Sequence, residues 1–241
     1  KWVGATDLQM KFELENPAKT LNKGEYGSGG RTWAALLNQY GLWYNPNNVT
    51  ITEAGRAIID GKDRYGQTQQ QILNLQHPSA YVEHKKLEDG FRIFPFRFLL
   101  RLLLDKRLEY LAENEVALLI INTKTDSEYK NKVTEILAFR KNNKRGRIPA
   151  HLLLQNHDGL ISAHMKKYAN DRFVKNPDNK LYLKYLTDIA NTFFNNIRYI
   201  HEVDYEKGTL NDDGRIFIKP KNREKIKKLL DCYEVNHPFS T

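Results

Sequence analysis

Two short stretches of the chain concentrate positive charge in a pattern suited to binding phosphate. The residues from Arg140 to Arg147 hold five cations and no anion, with asparagine and glycine between them. The residues from Lys219 to Lys228 hold six cations and one anion. Because Lys and Arg neutralise phosphate groups, the first run predicts a flexible phosphate-binding loop in which Arg140, Lys141, Lys144, Arg145 and Arg147 act. An ordinary solvated loop is the alternative for the first run, and a solvated helix face explains the second equally well.

A second chemistry that the sequence offers is recognition of base edges. Asn191 and Asn195 are four residues apart in a segment with helical periodicity, so their side chains point the same way. An asparagine can bond adenine through two hydrogen bonds in the major groove. Lys184 and Thr192 lie on the same face, opposite the apolar positions. The alternative is a set of ordinary solvated helix polars.

The N-terminal part of the chain has a similar but weaker signal. Four polar residues lie off the apolar face of a short predicted helix: Arg31, Thr32, Asn38 and Gln39. Arg31 follows Gly29 and Gly30 at the start of that helix, where free N–H groups favour a phosphate. A flexible glycine linker is the alternative. We also expect the segment with Gln9 and Lys11 to reach a bound nucleic acid.

Composition bounds the class of protein. The chain has 241 residues, is 40% hydrophobic and carries a formal net charge of +9, which favours an acidic partner, nucleic acid first. Its single cysteine, Cys232, excludes an internal disulfide and a multi-cysteine zinc site. The most apolar stretch carries Arg97 and Arg101, so we expect no membrane span. No signal-peptide pattern follows Lys1, we expect a cytoplasmic protein, and the absence of an initial methionine is compatible with a fragment of a longer one.

The elements that must position these residues follow one order twice. Residues 31–60 predict a helix, a strand at 42–44, a turn, a strand at 49–52 and a helix capped by Thr52 and ended by Gly61. Residues 181–231 predict a helix to Ile197, a strand at 198–203, a polar turn at 204–213, a strand at 214–218 and a basic helix reaching about Tyr233. This order is typical of a winged helix.

Between the two patterns the sequence predicts an amphipathic helical scaffold. The expected helices are 68–76, one starting at Pro95, 113–121, 127–139 and, beyond the basic loop, 158–169. The expected fold is therefore mainly α with small β-wings (α+β), with two winged-helix subdomains joined by this scaffold. The expected domains are an N-terminal arm at 1–30, a first winged-helix subdomain with scaffold at 31–139, a basic linker loop at 140–150 and a second winged-helix subdomain at 151–241.

An ordered series of short segments resembles a known family. The series comprises Tyr40–Tyr44, Val49–Arg56, Gln71–Ser79, Phe94–Leu100, Val133–Arg140, Ala190–Phe194 and Arg215–Ile218. Together these segments resemble the DNA-recognition part of type IIS restriction endonucleases and related nicking endonucleases, the AlwI-like group most closely and FokI-like enzymes more distantly. The resemblance covers most of the chain from about residue 26.

The resemblance implies a sequence-recognition domain for double-stranded DNA that contains a short asymmetric site. It also implies that a separate C-terminal nuclease domain cuts the DNA with Mg²⁺, so that the parent protein is a site-specific deoxyribonuclease. We expect the present chain to be monomeric, to carry no catalytic residue and to need no metal or other cofactor.

Such nuclease domains carry an acid and then an acid-x-Lys on paired strands. The candidates are Asp105 upstream of Glu128 and Lys130, but both segments are predicted as helices. His151, His157 and His164 are spaced six and seven residues apart without a nearby cysteine, which is weak as a metal site. Two alternatives stay open: a winged-helix transcription regulator or replication initiator, and a compact metal-dependent nuclease that uses Asp105, Glu128 and Lys130.

Overall fold

The computed structural model describes residues 35–44, 50–78, 90–142, 180–209 and 213–238, with the side chains of 142 and 180–187 left out. The chain divides into two compact units. The first comprises Lys1–Gln71 and Ser79–His84, and the second comprises Ile72–Pro78 and Lys85–Thr241.

The first unit contains a small hairpin between helices. Residues 35–39 are helical, and the elements that follow are β1 (Trp43–Tyr44), β2 (Thr50–Ile51), α1 (Glu53–Ile59) and the start of α2 (Arg64–Asn74). The two strands are antiparallel, with Trp43 opposite Ile51. The predicted order of helix, strand, strand and helix is confirmed here, although each strand is shorter than expected.

Local chemistry explains where these elements begin and end. The hydroxyl of Thr52 accepts a hydrogen bond from the Gly55 N–H at 3.1 Å, which is the expected helix cap, and donates to the Gly41 carbonyl at 2.8 Å. Gly41 and Gly61 both have positive φ, at 64° and 75°, where a side chain would be strained. The backbone of α1 approaches Leu42 so closely that a Cβ on Gly55 would lie 2.2 Å from its carbonyl oxygen.

The second unit holds the remaining helices and a three-stranded sheet. In chain order its elements are α3 (Pro95–Leu104), β3 (Tyr110–Ala112), α4 (Glu113–Glu115) continued by a π-helical turn (Val116–Ile120), a 3₁₀ turn (Asp126–Glu128), α5 (Tyr129–Asn142), α6 (Lys180–Ile197), β4 (Val203–Glu206), β5 (Arg215–Ile218), a 3₁₀ turn (Pro220–Asn222) and α7 (Arg223–Asn236).

Helix α3 forms the centre of the core in this unit. Pro95 opens it, and Phe96, Phe98 and Leu99 are at most 1% exposed. Helices α5 and α7 pack against α3, while α6 packs against α4 and its π-helical continuation. Because each fully buried Leu or Phe side chain contributes about 1.5–3 kcal/mol, this cluster supplies much of the stabilisation.

The sheet has the order β3-β5-β4 and is antiparallel throughout. Ile216 and Ile218 of β5 are buried, and the alternate residues Arg215 and Phe217 are half-buried, as expected for a sheet with one face on the core. The sequence predicted the two later strands but not β3, which comes from the helical scaffold. Tyr110 of β3 lies opposite Phe217 of β5, so the scaffold and the second pattern share one sheet.

Several predicted boundaries were wrong. Residues 198–202 of the strand expected at 198–203 form a turn, and the Val203 N–H bonds the Ile200 carbonyl. The observed strand runs from Val203 to Glu206, so all but its first residue lie inside the expected polar turn. The helix expected at 113–121 has only three α-helical residues before the π-helical turn. The helix predicted at 127–139 extends to Asn142, and the basic helix predicted to reach about Tyr233 extends to Asn236. Within the described ranges, no helix is both long and apolar enough to cross a membrane.

Candidate nucleic-acid interface

Helix α6 presents an exposed polar face to solvent. Its described inner face consists of Ala190, Phe194 and Ile197, each at most 1% exposed. Its outer face consists of Asp188, Asn191, Thr192 and Asn195, all exposed as the sequence predicted. With 18 residues the helix is about 27 Å long, a length that can follow a groove of duplex DNA.

The two asparagines of α6 form a pair. The Nδ2 of Asn195 donates to the Oδ1 of Asn191 at 3.3 Å, so the predicted common direction of the two side chains is confirmed. Among the described residues, the Nδ2 of Asn191 and the Oδ1 of Asn195 have no further partner. Donation by the Asn191 Nδ2 and acceptance by the Asn195 Oδ1 are the two functions that the N7 acceptor and the N6 donor of adenine require.

The C-terminal end of α6 lies at one end of the sheet. The chain turns there through Arg198 and Tyr199, both exposed, and then enters β4 at Val203. The start of α7 reaches the same place, because the Nδ2 of Asn222 donates to the carbonyl of Glu202 at 3.3 Å. The turn that follows α6 therefore lies next to the second basic run.

The predicted residues of the first unit have different surroundings. The Nδ2 of Asn38 donates to the Trp43 carbonyl at 3.0 Å, which joins the helical segment to β1. Gln39 is exposed. Asn38 therefore has a structural partner, whereas Gln39 is the described residue of this predicted group that stays open to solvent.

Arg140, from the first basic run, is directed into the protein. Its guanidinium donates to both carboxylate oxygens of Glu115, at 2.6 and 2.9 Å, and to the carbonyls of Leu108 and Tyr110, at 2.5 and 2.6 Å. It also lies 4.0 Å from the centre of the Tyr110 ring. Its hydrogen-bonding capacity is thus used within the chain, and Arg140 holds α5 to β3 and α4.

The electrostatics of this pair favour the charged state of the guanidinium. Burial lowers the pKa of Arg140, but the hydrogen bonds and the charge of Glu115 outweigh burial and raise its pKa above the usual value. Lys141, the next residue, is exposed. Two adjacent cations of the run therefore differ in role, one inside and one at the surface.

The second basic run shows the same division. The guanidinium of Arg223 donates to the Leu103 carbonyl at 3.2 Å and also to the Leu104 carbonyl. These carbonyls end helix α3, so Arg223 satisfies groups that the helix itself leaves unpaired. Lys219 pairs with Asp204 across β5 and β4 at 2.5 Å. Lys221, Lys225 and Lys228 are exposed.

One buried cation was not assigned a role from the sequence. Arg97 in α3 is 4% exposed and donates to the carbonyls of Leu73, Tyr233 and His237, and to the Oδ1 of Asn74. Burial lowers the pKa of Arg97 to about 10, against the raising effects of Glu234 and Tyr233. The signal that could have revealed it is an arginine in an otherwise apolar helical run.

The candidate nuclease carboxylates each serve the local structure. Asp105 accepts hydrogen bonds from Arg107 and from the Tyr129 hydroxyl, and the hydrogen bond from Arg107 holds the pKa of Asp105 well below its usual range. Glu128 accepts from the Lys124 and Thr125 N–H groups as part of a capping box. Within the described part of the chain, no cluster of His, Cys, Asp or Glu could hold a metal ion.

Several predicted residues lie outside the described residues or have undescribed side chains. They are Gln9, Lys11, Arg31, Thr32, Lys144, Arg145, Arg147, His151, His157, His164 and, for its side chain, Lys184. The helix predicted at 158–169, the arm at 1–30 and the linker beyond residue 142 also lie outside.

A comparison with protein families adds an independent line of evidence. Residues 67–176 match the family described as "Type II restriction endonuclease HgaI, N-terminal domain". The match supports a type II restriction enzyme N-terminal domain. No curated protein matches the chain.

The matched region contains α3, β3 and α5, the elements that Arg140 and Arg97 hold in place. Three of the resembling segments fall inside it, namely Gln71–Ser79, Phe94–Leu100 and Val133–Arg140. Helix α6 and β5 follow the matched region. The family match therefore covers the elements that pack against α6, and α6 itself follows the matched residues.

Proposed function

We propose that this chain is the double-stranded DNA recognition domain of a type IIS restriction endonuclease or a related nicking endonuclease, of the AlwI-like or FokI-like kind. It binds a short asymmetric site as a monomer, and a separate C-terminal nuclease domain with Mg²⁺ cuts the DNA. The single observation that carries the proposal is the match of residues 67–176 to the HgaI N-terminal domain family. We further propose that the two strand-containing patterns act as winged-helix units.

In this proposal the exposed face of α6 reads base edges. The pair formed by Asn191 and Asn195 offers one donor and one acceptor on the solvent side of a helix whose other side is fixed in the core. Each good two-bond contact to a base contributes about 1–3 kcal/mol of discrimination. Thr192 is next to this pair; its hydroxyl donates to the Asp188 carbonyl at 2.9 Å and keeps its oxygen available as an acceptor.

Phosphate contacts set the position of the domain on DNA without reading sequence. From the first basic run we assign this role to Lys141, Lys144, Arg145 and Arg147. We leave out Arg140 because its guanidinium already bonds Glu115 and two backbone carbonyls. We also assign contacts to Gln9, Lys11, Arg31, Thr32 and Gln39 in the N-terminal part.

Selection from a randomised duplex pool tests the proposal. The full chain is incubated with the pool at two salt concentrations without metal, and bound duplexes are sequenced. We expect enrichment of one short asymmetric site, with weaker binding at higher salt. Binding without any enriched sequence would contradict a recognition domain, and metal-dependent cleavage by the chain alone would contradict the separate nuclease domain.

A pair of variants then locates the base-reading face. Asn191→Ala should relax the preference at one position of the enriched site while affinity for random duplex stays the same. Asn131→Ala is the matched control, because Asn131 is an exposed asparagine on helix α5 and has no assigned role. If both variants retain the wild-type preference, α6 does not read bases.

A further inference from the structure

The 3₁₀ turn before α7 and the first half of α7 carry a row of exposed lysines. Lys221 lies in that turn and Lys225 and Lys228 lie on α7, and their spacing of four and three residues predicts that they share one side. The opposite face contains Ile226 and Leu230, which are buried. We call Lys221, Lys225 and Lys228 the lysine face.

The lysine face has no acidic partner among the residues that the structure describes. Two other cations of this run have partners, since Lys219 pairs with Asp204 and Arg223 bonds two carbonyls, whereas Lys227 is a further exposed lysine on α7. Glu224 and Asp231 lie on the same helix and are exposed, yet neither forms an ion pair with these lysines. The positive charge of the lysine face is thus presented to solvent.

This arrangement costs stability in the isolated domain. Like charges three or four residues apart on a helix repel one another. Lys225 and Lys228 also lie in the first half of α7, where the helix dipole disfavours cations. A negatively charged partner outside the chain would offset this repulsion.

The position of the lysine face fits a nucleic acid that also contacts α6. Asn222, just before α7, bonds the carbonyl of Glu202, in the turn that joins α6 to β4. From Lys221 to Lys228 the helix rises about 10 Å, at about 1.5 Å per residue. One DNA strand presents a phosphate about every 3.4 Å of duplex axis, so the row can face about three phosphates.

We propose that the lysine face is a sequence-independent clamp on the phosphate backbone of duplex DNA. It holds the duplex while the neighbouring face of α6 reads bases. This inference rests on the proposed function, because it takes double-stranded DNA as the ligand of the domain. It assigns the contact to lysines, which bind phosphates as mobile point charges, and not to the inward-pointing Arg223.

The test compares two triple variants of the full chain. The first is Lys221→Ala with Lys225→Ala and Lys228→Ala. The control is Lys106→Ala with Lys130→Ala and Lys207→Ala, which removes the same charge from scattered exposed sites of the second unit. Binding is measured on the enriched duplex and on random duplex over a range of salt concentrations, and circular dichroism verifies that both variants fold.

We expect the lysine-face variant to reduce the slope of log affinity against log salt by about 2–3, equally on both duplexes, and the control variant to change it by less than about 1. If the wild-type chain selects one site but the lysine-face variant has the wild-type salt slope, the assignment of the lysine face is overturned and the proposed function is not. A wild-type chain that binds no duplex at low salt would overturn the proposed function first. Equal competition by polyglutamate and by duplex DNA of the same charge would also overturn the clamp, because the surface would then bind any polyanion.

Discussion

Within each of the two basic runs, the arginine and the lysines that the structure describes are placed in opposite ways. Each run has an arginine that bonds internal groups: Arg140 holds Glu115 and two carbonyls, and Arg223 holds two carbonyls at the end of α3. Lys141 in the first run and the lysine face in the second run are exposed. A run of positive charge is therefore a mixture of structural and surface cations.

The chemistry of the two side chains explains this division. The planar guanidinium of arginine presents several donors in fixed directions and is more weakly hydrated than an ammonium, so it suits buried contacts with carboxylates and carbonyls. The ammonium of lysine is strongly hydrated, and its flexible stem keeps the charge in water. The net charge of a run therefore overstates the number of cations that are available to DNA.

The largest effect on stability is expected from removing an arginine that bonds internal groups. Arg140→Ala leaves Glu115, which is 3% exposed, as a buried carboxylate without its cation. We expect the free energy of unfolding to fall by about 3–5 kcal/mol in urea denaturation. The neighbouring Lys141→Ala should stay within about 0.5 kcal/mol of wild type. Equal effects of the two variants would mean that Arg140 contributes no more to stability than the exposed Lys141.

Arg223→Ala tests the same idea in the second run. It deprives the Leu103 and Leu104 carbonyls of their donor, and we expect a loss of about 1–3 kcal/mol in the free energy of unfolding. Lys219→Ala serves as the control, because it removes only the exposed pair with Asp204 and should cost less than about 1 kcal/mol. If the control were the more damaging variant, Arg223 would not be the structural cation of this run.

Local sequence signals predicted much of the fold. Thr52 and Gly61 marked the two ends of α1 because capping and positive φ depend on residues that are neighbours in sequence. Pro95 marked the start of α3 for the same reason. The apolar spacing of α6 correctly placed its core face, and the opposite face then followed from geometry.

The parts that sequence could not predict depend on distant partners. Strand β3 exists because Tyr110 pairs with Phe217, more than a hundred residues away, and three residues leave almost no local pattern. The inward direction of Arg140 depends on Glu115 and on the carbonyls of Leu108 and Tyr110, which only the folded chain brings together. The pairing of Asn191 with Asn195 was predictable because both lie on one helix.

Asp105 forms an ion pair with Arg107, an arginine whose side chain is exposed. Its hydrogen bonds from Arg107 and Tyr129 depress the pKa of Asp105, so the folded state favours the ionised carboxylate. This contribution is complete above the unfolded-state pKa of about 3.9 and is lost as the pH falls below it. We expect Asp105→Asn to cost about 1 kcal/mol at neutral pH and to flatten the acid limb of the stability profile.

The measurement is urea unfolding at several pH values between 3 and 7 for wild type and Asp105→Asn. The difference between the two proteins should shrink as the pH falls, because the wild-type carboxylate loses its advantage. Burial and the bond to Asp105 raise the pKa of Tyr129 to about 12, so the phenol stays a donor across this range. A difference that is constant with pH would show that the asparagine variant perturbs packing and not the ion pair.

The smallest effect on stability is expected from replacing an exposed lysine. Lys225 is the middle residue of the lysine face and is close to both Lys221 and Lys228 in the helical spacing, so Lys225→Gln relieves both repulsions. We expect the free energy of unfolding to rise by about 0.5 kcal/mol at low salt and the gain to vanish at high salt, where these charges are screened. Lys106→Gln, at an exposed site away from α7, should show no such gain. A loss of stability that does not depend on salt would mean that the aliphatic part of Lys225 supports packing. Lys225 would then be a structural residue, as Arg140 and Arg223 are.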